Sequence, residues 1–589
     1  MPMTSTVSRR STDGEGKHCN KRHFRTFICL FVIVSCCKVL VFPSYRSTDF
    51  DVHRHWKALT RQLKDRPVEW YYDDRHVNTE HTLDYPPGFA FFEYVLSNNL
   101  ITQFLLTSQL LDDRCLQLIP DDEVQEYGTS PMCVAFLRST VVVSDIVLWI
   151  GAWMVSTTTA ALSPSRTSVW SIFLLIVLHP GLFWLDHVHF QYNGMLLGML
   201  LISLTCLLRA NAQPFKVKED SISSASSRQY YCLAGAAMYA LLLTFKHLYL
   251  GLSLWYFFYL LRRYCFVPDV TSDKADTKMR RKTHEKASHA TFSFEKFLQL
   301  ATVTVATLLL PFLPLLLSAA RDTTDDSPLL LLKQIFSRLF PFERGLVHDY
   351  WAGNVWALYM GAQKVFQAMG VSVLPKDVSP DRVAVLLLIG LTLGALRAWK
   401  AAADWSNERL LLSFTLSAMI SFMISYHVHE KAVLTSLIPM ILLPFYCHSH
   451  GSSRHYTTNT GASGSFWKWL LQPEFILLEA TTWGLLGCFP LLFESREMLL
   501  KLVGFATYLS FMVCVIHSYS RSSISPGWTA RLWLVATALA VGLVLVVLEA
   551  TPLSWWGRFE FAPLAITSLA CAVGLIQSTF RLILSPANT

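Results

Sequence analysis

Long apolar windows without Asp, Glu, Lys or Arg recur along the whole chain. The windows long enough for one membrane crossing are residues 146–165, 167–185, 188–208, 297–320, 410–429, 432–453, 502–520, 532–548 and 562–580. A bilayer core of about 30 Å is crossed by about 20 apolar residues in a helix, and a helix satisfies its own backbone where no water is present. With the first apolar run at 27–42 and shorter runs at 229–245, 247–261, 383–396 and 480–493, the pattern predicts an all-α polytopic membrane protein with about 11–14 transmembrane helices.

Composition agrees with this pattern. Of the 589 residues, 52% are hydrophobic and only 16% are charged, whereas soluble domains carry about 25% charged residues. A soluble globular enzyme is therefore excluded, and the net charge of +8 gives no indication of a nucleic-acid partner. Many cysteines lie inside apolar runs without metal-ligand or disulfide spacing, so most are expected to be small buried hydrophobes. These are Cys29, Cys36, Cys37, Cys206, Cys488, Cys514 and Cys571.

The distribution of charge predicts which side of the membrane each loop faces. Residues 1–25 form a basic tail before an uncleaved first span, and residues 262–296 carry nine Lys and Arg, so both are expected in the cytosol. The second segment is also expected to be disordered. Residues 43–132 carry 15 Asp and Glu against 8 Lys and Arg, which predicts a long first luminal loop. Residues 26–589 then form one transmembrane domain.

One helical stretch, residues 354–369, affects the sidedness of everything that follows it. If it crossed the membrane fully, the basic segment 397–409 would move to the lumen, against the positive-inside rule. We therefore expect it to be re-entrant or interfacial.

Five polar islands then fall on the luminal side. Asp49 and Asp51 head an amphipathic segment after the first span, although acids there could serve only as an N-cap and a first-turn charge. Asp84 and Tyr85 lie beside two prolines, where aromatic rings and acids suit a sugar or an interfacial aromatic belt. The His187–Asn193 island is predicted to be a hydrogen-bonded luminal turn, with a metal site as the alternative.

The last two islands carry bases. Arg338 and Arg344 suit phosphate oxygens, although snorkelling towards lipid headgroups is the competing use. Residues 426–431 place His, His, Glu and Lys at the membrane interface, where ionisable groups are costly and usually functional, a solvated turn being the alternative. Acids, aromatic rings and bases on one face predict transfer from a lipid phosphate to a sugar acceptor.

Six motifs together carry a family resemblance. They are Asp49-Phe-Asp-Val-His-Arg-His-Trp56, Leu83-Asp-Tyr-Pro-Pro87, His189-Phe-Gln-Tyr-Asn193, Phe245-Lys-His-Leu-Tyr249, Arg338-Leu-Phe-Pro-Phe-Glu-Arg-Gly345 and His427-Val-His-Glu-Lys-Ala432. The chain resembles the endoplasmic reticulum dolichyl-phosphate-glucose α-1,3-glucosyltransferases of glycosyltransferase family 57. Two of the motifs, at 245–249 and 427–432, are more similar to the second glucosyltransferase, which extends the monoglucosylated oligosaccharide. The resemblance implies a GT-C fold with luminal amphipathic helices after the first span.

The resemblance also implies a site and its substrates. Asp49 would be the general base of an inverting transfer. The donor phosphate would be bound by His429, Arg338, Arg344 and Lys431, and the sugars by Asp51, His55, Trp56, Asp84, Tyr85 and His427. No metal or cofactor is expected. The partners would be dolichyl-phosphate-glucose, the dolichol-pyrophosphate-linked oligosaccharide and lipids of the endoplasmic reticulum membrane, with the active site in the lumen.

Two other functions remain open from the sequence. One is the paralogous enzyme that adds the first glucose to the unglucosylated oligomannose lipid. The other is a lipid or sugar transporter, although transporters place their charged sites near the middle of the bilayer whereas these acids follow the first span.

Overall fold

A computed structural model describes the chain at residues 12–121, 130–163, 168–212, 222–268, 290–321, 327–341, 345–348, 351–371, 373–375, 378–447, 470–519, 528–550 and 561–585. The first half contains α1 (Thr12–Leu40), α2 (Thr48–Gln62), α3 (Pro87–Asn98), α4 (Leu100–Thr107), α5 (Pro131–Leu162), α6 (Val169–Val177), α7 (Asn193–Ala212), α8 (Ile222–Leu243) and α9 (Ser253–Leu260). The second half contains α10 (Phe294–Leu309), α11 (Phe312–Arg321), α12 (Pro328–Leu339), α13 (Val355–Ala368), α14 (Pro380–Asp404), α15 (Asn407–Ile424), α16 (Leu434–Met440), α17 (Leu443–Cys447), α18 (Pro473–Gly487), α19 (Met498–Tyr519), α20 (Trp528–Leu545) and α21 (Ala562–Leu584).

Within these ranges, seven helical stretches are long and apolar enough to cross a membrane. They are Pro131–Leu162, Val169–Val188, Asn193–Asn211, Pro380–Asp404, Pro473–Leu491, Ser495–Tyr519 and Ala562–Leu584. The helices α10 and α11 pass the same test together but are bent by 58°. Four further helices have 18 residues or more: α1 with 29, α8 with 22, and α15 and α20 with 18 each. The predicted all-α polytopic membrane fold is confirmed.

Close helix packing brings the site-bearing helices together. The helices α5 and α7 touch along small residues: a Cβ on Gly151 would lie 2.4 Å from the carbonyl oxygen of Gly198. Small residues let two backbones approach in a membrane bundle, where packing rather than water expulsion drives association. The end of α7 nearest Gly194 is therefore fixed against α5.

The segment after α1, which the charge pattern predicts to face the lumen, folds at residues 43–121 into a compact unit, called the luminal unit after that prediction. Its helices α2 and α3 pack on each other, joined by 3₁₀ turns at Pro67–Tyr71 and Asp73–Arg75. The helix α2 is amphipathic, and its apolar face is buried, including Phe50, Trp56 and Leu59. A disulfide joins Cys115 to Cys133 and so ties the end of this unit to the first turn of α5.

Several sequence-based expectations differ from the structure. The disulfide was not anticipated from the cysteine spacing. Of the cysteines expected to be buried, Cys206, Cys488 and Cys571 are, whereas Cys29, Cys36, Cys37 and Cys514 are exposed. They lie on helices whose outer faces carry apolar side chains, where the protein has no polypeptide neighbour.

Loop boundaries differ as well. The helix α1 begins at Thr12, inside the predicted tail. Most of the basic segment 262–296 lies outside the described residues, but its two ends pair as antiparallel strands β1 (Phe266–Pro268) and β2 (Ala290–Phe292). The helix α13 has 14 residues, fewer than the ~20 that cross a bilayer, which supports the interfacial or re-entrant placement.

Candidate active site

Three side chains converge on one oxygen of Asp49. Its Oδ2 accepts from Gln191 Nε2 at 2.7 Å and from Lys431 Nζ at 2.8 Å, and His189 Nε2 lies 3.0 Å away. The two segments that supply these groups are 142 and 382 residues away in the chain. Three of the predicted islands therefore meet at Asp49.

The position of Asp49 follows from how α2 begins. The helix starts immediately after α1 and a short turn, with Ser47 as its extended N-cap residue, and the Ser47 hydroxyl donates to the His189 carbonyl. Carboxylates in the first turn are favoured by the helix dipole. Because residues two apart on a helix point about 200° from each other, Asp51 lies on the other side of α2. It pairs with Arg46 at 3.3 Å.

The turn that presents His189 and Gln191 is held by buried charges. It follows a π-helix, Phe183–Val188, and it ends at the start of α7. Asp186 accepts from the backbone N–H groups of Asn193 and Gly194 at 3.1 and 2.5 Å, which caps α7. A Cβ on Gly194 would lie 2.7 Å from Asp145 and 3.1 Å from Asp186, so only glycine leaves room for both carboxylates.

The same turn contains an unusual backbone conformation. Phe190 has φ of 78°, which is strained for a bulky residue. Arg138 compensates by donating to the carbonyls of His187, Val188 and Tyr45. The predicted hydrogen-bonded turn is present, and its histidine at 187 pairs with Asp145 at 2.8 Å.

A second buried network joins the luminal unit to this turn. Glu93 on α3 accepts from His53 at 2.7 Å and pairs with Lys57 at 2.6 Å. Lys57 also donates to the hydroxyl of Tyr192 at 2.8 Å. A charge network with its partners in place rigidifies the elements that supply it, so α2 is fixed relative to the turn.

The loop before α16 brings the second group of bases. His427 has φ of 49°, and its N–H donates to the Leu346 carbonyl at 2.9 Å while its ring nitrogen lies 2.7 Å from the Gly345 carbonyl. This connects the loop to the Arg338–Gly345 island. The centroid of the His429 ring lies 4.1 Å from that of His348, with the two ring planes tilted by 39°.

Electrostatics divide these groups into charged and neutral ones. Burial opposes ionisation of Asp49, but the charge of Lys431 and the hydrogen bond from His189 outweigh it and hold the pKa well below the usual range. Burial, aided by the charges of Lys431 and His348, lowers the pKa of His429 well below its ordinary value. Burial raises the pKa of Glu430 to about 7, against the charge of Lys431. At neutral pH Asp49 is therefore a carboxylate and His429 a neutral imidazole.

An aromatic wall lies beside Asp49. The ring of Tyr85 packs 5.0 Å from Trp56 and 4.8 Å from Phe89. Trp56 is buried and donates to the His81 carbonyl at 2.9 Å. His55 is also buried, 3.6 Å from Asp73. Of the predicted sugar-binding residues, Asp84 and Tyr85 are partly accessible, whereas His55 and Trp56 are buried, and Trp56 packs against the Tyr85 ring.

The predicted phosphate-binding residues divide in the same way. Lys431 and His429 lie at the site. Arg338 instead pairs with Asp74 at 2.8 Å and Asp73 at 3.5 Å, so it joins α12 to the luminal unit. Arg344 lies outside the described residues, and its role stays a prediction.

Sequence reasoning did not select three residues of the site. His189 and Gln191 were part of a recognised island, and their alternate spacing could have indicated two side chains on the same side of a turn. Lys246, in another of the motifs, has its ammonium 5.0 Å from the ring centroid of Tyr85. It is only 9% exposed.

One group of side chains within the described ranges could hold a cation. Single ligand atoms of His348, His429 and Glu430 all lie within 4.8 Å of one another. Two imidazoles and a carboxyl suit a divalent metal, but burial raises the pKa of Glu430 to about 7, so its carboxyl becomes mainly neutral below that pH. The expectation of a metal-free site stays a prediction.

Comparisons with known proteins agree with the motifs. A relative from Candida glabrata, "Dolichyl pyrophosphate Glc1Man9GlcNAc2 alpha-1,3-glucosyltransferase", is 30% identical over 92% of this chain and 93% of its own. Proteins of that name from Bos taurus and Saccharomyces cerevisiae are 30% and 29% identical, covering 95% and 92% of this chain and 95% and 89% of their own.

A solved structure and a family model were also matched. ArnT from Cupriavidus metallidurans, bound to undecaprenyl phosphate, covers 95% of this chain and 78% of its own, with a TM-score of 0.37 and 12% identity, a likeness too slight to support a conclusion. The model of the ALG6, ALG8 glycosyltransferase family matches residues 34–582. Because this match spans nearly the whole chain, the protein belongs to the ALG6, ALG8 glycosyltransferase family and has the GT-C fold expected from its motifs.

Proposed function

We propose that the chain transfers glucose from dolichyl-phosphate-glucose to the terminal glucose of the monoglucosylated, dolichol-pyrophosphate-linked oligosaccharide. The product would carry a second α-1,3-linked glucose. Relatives in three organisms are named for the Glc1Man9GlcNAc2 acceptor, which favours this step over addition of the first glucose. The observation that carries the proposal is the Asp49 carboxylate, held ionised by Lys431 and two further donors.

Asp49 is the general base in this proposal. It takes the proton from the acceptor's 3-hydroxyl as that oxygen attacks the anomeric carbon of the β-linked donor. The bond from that carbon to the phosphate oxygen breaks, and its electron pair leaves with dolichyl phosphate. One displacement inverts the β-linkage to α. The proton remains on Asp49, and dolichyl phosphate departs with one more negative charge.

Lys431 can interact both with the Asp49 carboxylate and with the phosphate that leaves. In the free enzyme its ammonium pairs with the Asp49 carboxylate. Proton transfer neutralises that carboxylate as negative charge grows on the leaving phosphate, so the ammonium loses one anionic partner while another forms. A preorganised cation of this kind stabilises a developing charge without reorganising solvent. His429, neutral in the free enzyme, supplies a hydrogen bond to the phosphate.

We also propose that the site faces the lumen of the endoplasmic reticulum, with the surrounding membrane lipids as partners. Two observations support this placement. The segment 43–132 that carries Asp49 has an excess of acids, and its Cys115 forms a disulfide with Cys133 at the start of α5. Disulfides persist in oxidising compartments such as this lumen and are rare in the cytosol.

The test is incubation of the purified chain with synthetic dolichyl-phosphate-glucose and two defined acceptors, one without glucose and one with a single glucose. Mass spectrometry of the released glycans should show one added hexose on the monoglucosylated acceptor only. Digestion with linkage-specific glucosidases should identify it as α-1,3-linked. Extension of the unglucosylated acceptor instead would assign the first step, and no transfer to either would refute the proposal.

A further inference from the structure

Lys246 places a second ammonium group at the site, and the function proposed above gives it no role. It lies between α8 and the 3₁₀ helix His247–Leu252, in extended backbone with φ of −151° and ψ of 118°. Lys246 is only 9% exposed to solvent. Burying an ammonium without an anion or a hydrogen-bond acceptor is costly, and the Tyr85 ring 5.0 Å away offers only a cation–π contact, so the position of Lys246 calls for an explanation.

The backbone around Lys246 is fixed by the luminal unit. The Phe89 N–H donates to the Thr244 carbonyl at 3.3 Å. A Cβ on Gly88 would lie 2.4 Å from the Thr244 hydroxyl oxygen, so glycine at this position allows the two segments to touch. Lys246 is thereby placed over the Tyr85 ring rather than at the membrane surface.

Two other cations, within the part of the chain that the structure describes, already have anionic partners. Lys431 pairs with Asp49, and Arg338 pairs with Asp73 and Asp74. Among the described residues, the ammonium of Lys246 has the Tyr85 ring as a cation–π contact and makes no hydrogen bond or ion pair. Burial lowers its pKa to about 8, and the charge of Lys431 acts in the same direction, whereas the carboxylates of Asp49, Asp186 and Asp84 act in the opposite one. The positive charge of Lys431 therefore disfavours a second ammonium at Lys246, and a phosphate bound between the two would replace that repulsion with attraction.

We propose that Lys246 binds the phosphate of the lipid donor together with Lys431, and that it holds the departing lipid phosphate after transfer. This inference rests on the proposed function for the identity of the lipid, a phosphate ester of a long polyprenol. An ammonium is a compact charge that suits a phosphate oxygen without requiring a planar, two-pronged geometry. The leaving phosphate monoester carries more negative charge than the donor, so Lys246 contributes more to the product complex and to the transition state than to donor binding.

A binding measurement tests this without requiring catalysis. The dissociation constant of farnesyl phosphate is measured by calorimetry on the detergent-solubilised full chain, with farnesol and inorganic phosphate as separate ligands. The variants are Lys246→Met, Lys246→Arg and, as a control, Lys333→Met, which replaces an exposed lysine on α12. We expect farnesyl phosphate to bind about 10- to 100-fold more weakly to Lys246→Met. Lys246→Arg should recover part of the loss, and Lys333→Met should match the unmodified chain.

Each outcome decides the proposal. Farnesyl phosphate binding to Lys246→Met within two-fold of the unmodified chain would overturn it, as would an equal loss of farnesol binding, which would indicate a general packing defect. Binding of inorganic phosphate as tight as farnesyl phosphate would identify a free-anion site instead and overturn the assignment to a lipid phosphate.

A second measurement on the unmodified chain covers the case in which Lys246→Met does not fold. Amine acetylation, followed by mass spectrometry, is compared with and without saturating farnesyl phosphate. We expect protection of Lys246 and no protection of Lys333, and equal labelling of Lys246 in both samples would refute the proposal. A chain that binds farnesyl phosphate through Lys246 but transfers no glucose would refute the proposed function alone.

Discussion

Replacing Asp49 with asparagine separates proton transfer from the other contributions of this side chain. Asparagine has the same size, and its amide oxygen can still accept from Gln191 or Lys431, so the site should keep its shape. What is lost is the negative charge and the capacity to take a proton. General-base catalysis contributes about 10²- to 10⁴-fold, or about 2.7 to 5.5 kcal/mol of activation free energy.

The structure also predicts how the two kinetic constants should respond. The Asp49 side chain is 25% exposed and that of Lys431 is 12% exposed, so both groups are largely buried but still touch solvent. Loss of their ion pair should cost about 1 to 3 kcal/mol of folding free energy. The same change frees Lys431 for the donor phosphate. We therefore expect kcat to fall by about 10²-fold or more, while KM for the donor stays level or decreases.

The assay is glucose transfer by the purified variant, followed by mass spectrometry at several donor concentrations. Asp65→Asn is the matched control, because Asp65 is an exposed acid just after α2. It should retain the activity of the unmodified chain. Transfer by Asp49→Asn within three-fold of that level would refute the general-base role. A fall in kcat with an equal rise in KM for the donor would place Asp49 in substrate binding instead.

Three further predictions follow from the same geometry. Gln191→Leu removes one donor that lies 2.7 Å from Asp49, and it should lower kcat in the transfer assay about 3- to 10-fold. An unchanged kcat would show that His189 and Lys431 are sufficient to hold the Asp49 carboxylate in place. Glu430, whose pKa burial raises to about 7, is neutral below that pH and ionised above it, so KM for the donor should rise above about pH 7 as a negative charge forms beside Lys431. Glu430→Gln should flatten this rise, and an unchanged pH profile would assign it to another group. Cys115→Ser breaks the disulfide that ties the luminal unit to α5 and should lower the free energy of unfolding by about 2 to 4 kcal/mol. The variant should therefore unfold at a lower temperature. A reducing agent should lower the unfolding temperature of the unmodified chain by a similar amount and leave that of the variant unchanged.

Membrane spans could be predicted from the sequence where an apolar window coincides with one helix. The predicted ends or continuity of a span differ from the structure where a buried charge or a proline lies inside the helical stretch. The window ending at residue 185 stops at Asp186, but the helical stretch continues to Val188. Asp186 does not end this helical stretch, because its carboxylate accepts hydrogen bonds from backbone N–H groups at the start of α7. The window 432–453 predicted one crossing, whereas the described part is broken into α16 and α17, with Pro439 inside the first.

The site was partly predictable because acids and bases near membrane helices are costly and therefore informative. Asp49 stood out by its place at the head of an amphipathic helix. Its partners could not be paired with it from local patterns, because they lie 142 and 382 residues away. For Arg338, the residue type alone could not identify the partner, because a guanidinium pairs equally well with a phosphate or a carboxylate. In the structure Arg338 pairs with two aspartates of the luminal unit.

The separation of 382 residues between Asp49 and Lys431 has a consequence for biosynthesis. Ribosomes add about 5 to 20 residues per second, so the nascent chain carries Asp49 into the translocon roughly 20 to 80 seconds before Lys431 is made. During that interval His189 and Gln191, which follow within the first third of synthesis, are the companions available to the acid. Catalytic competence is thus one of the last properties the growing polypeptide acquires, and a product truncated before residue 431 would insert its early helices yet lack the charge that completes its centre.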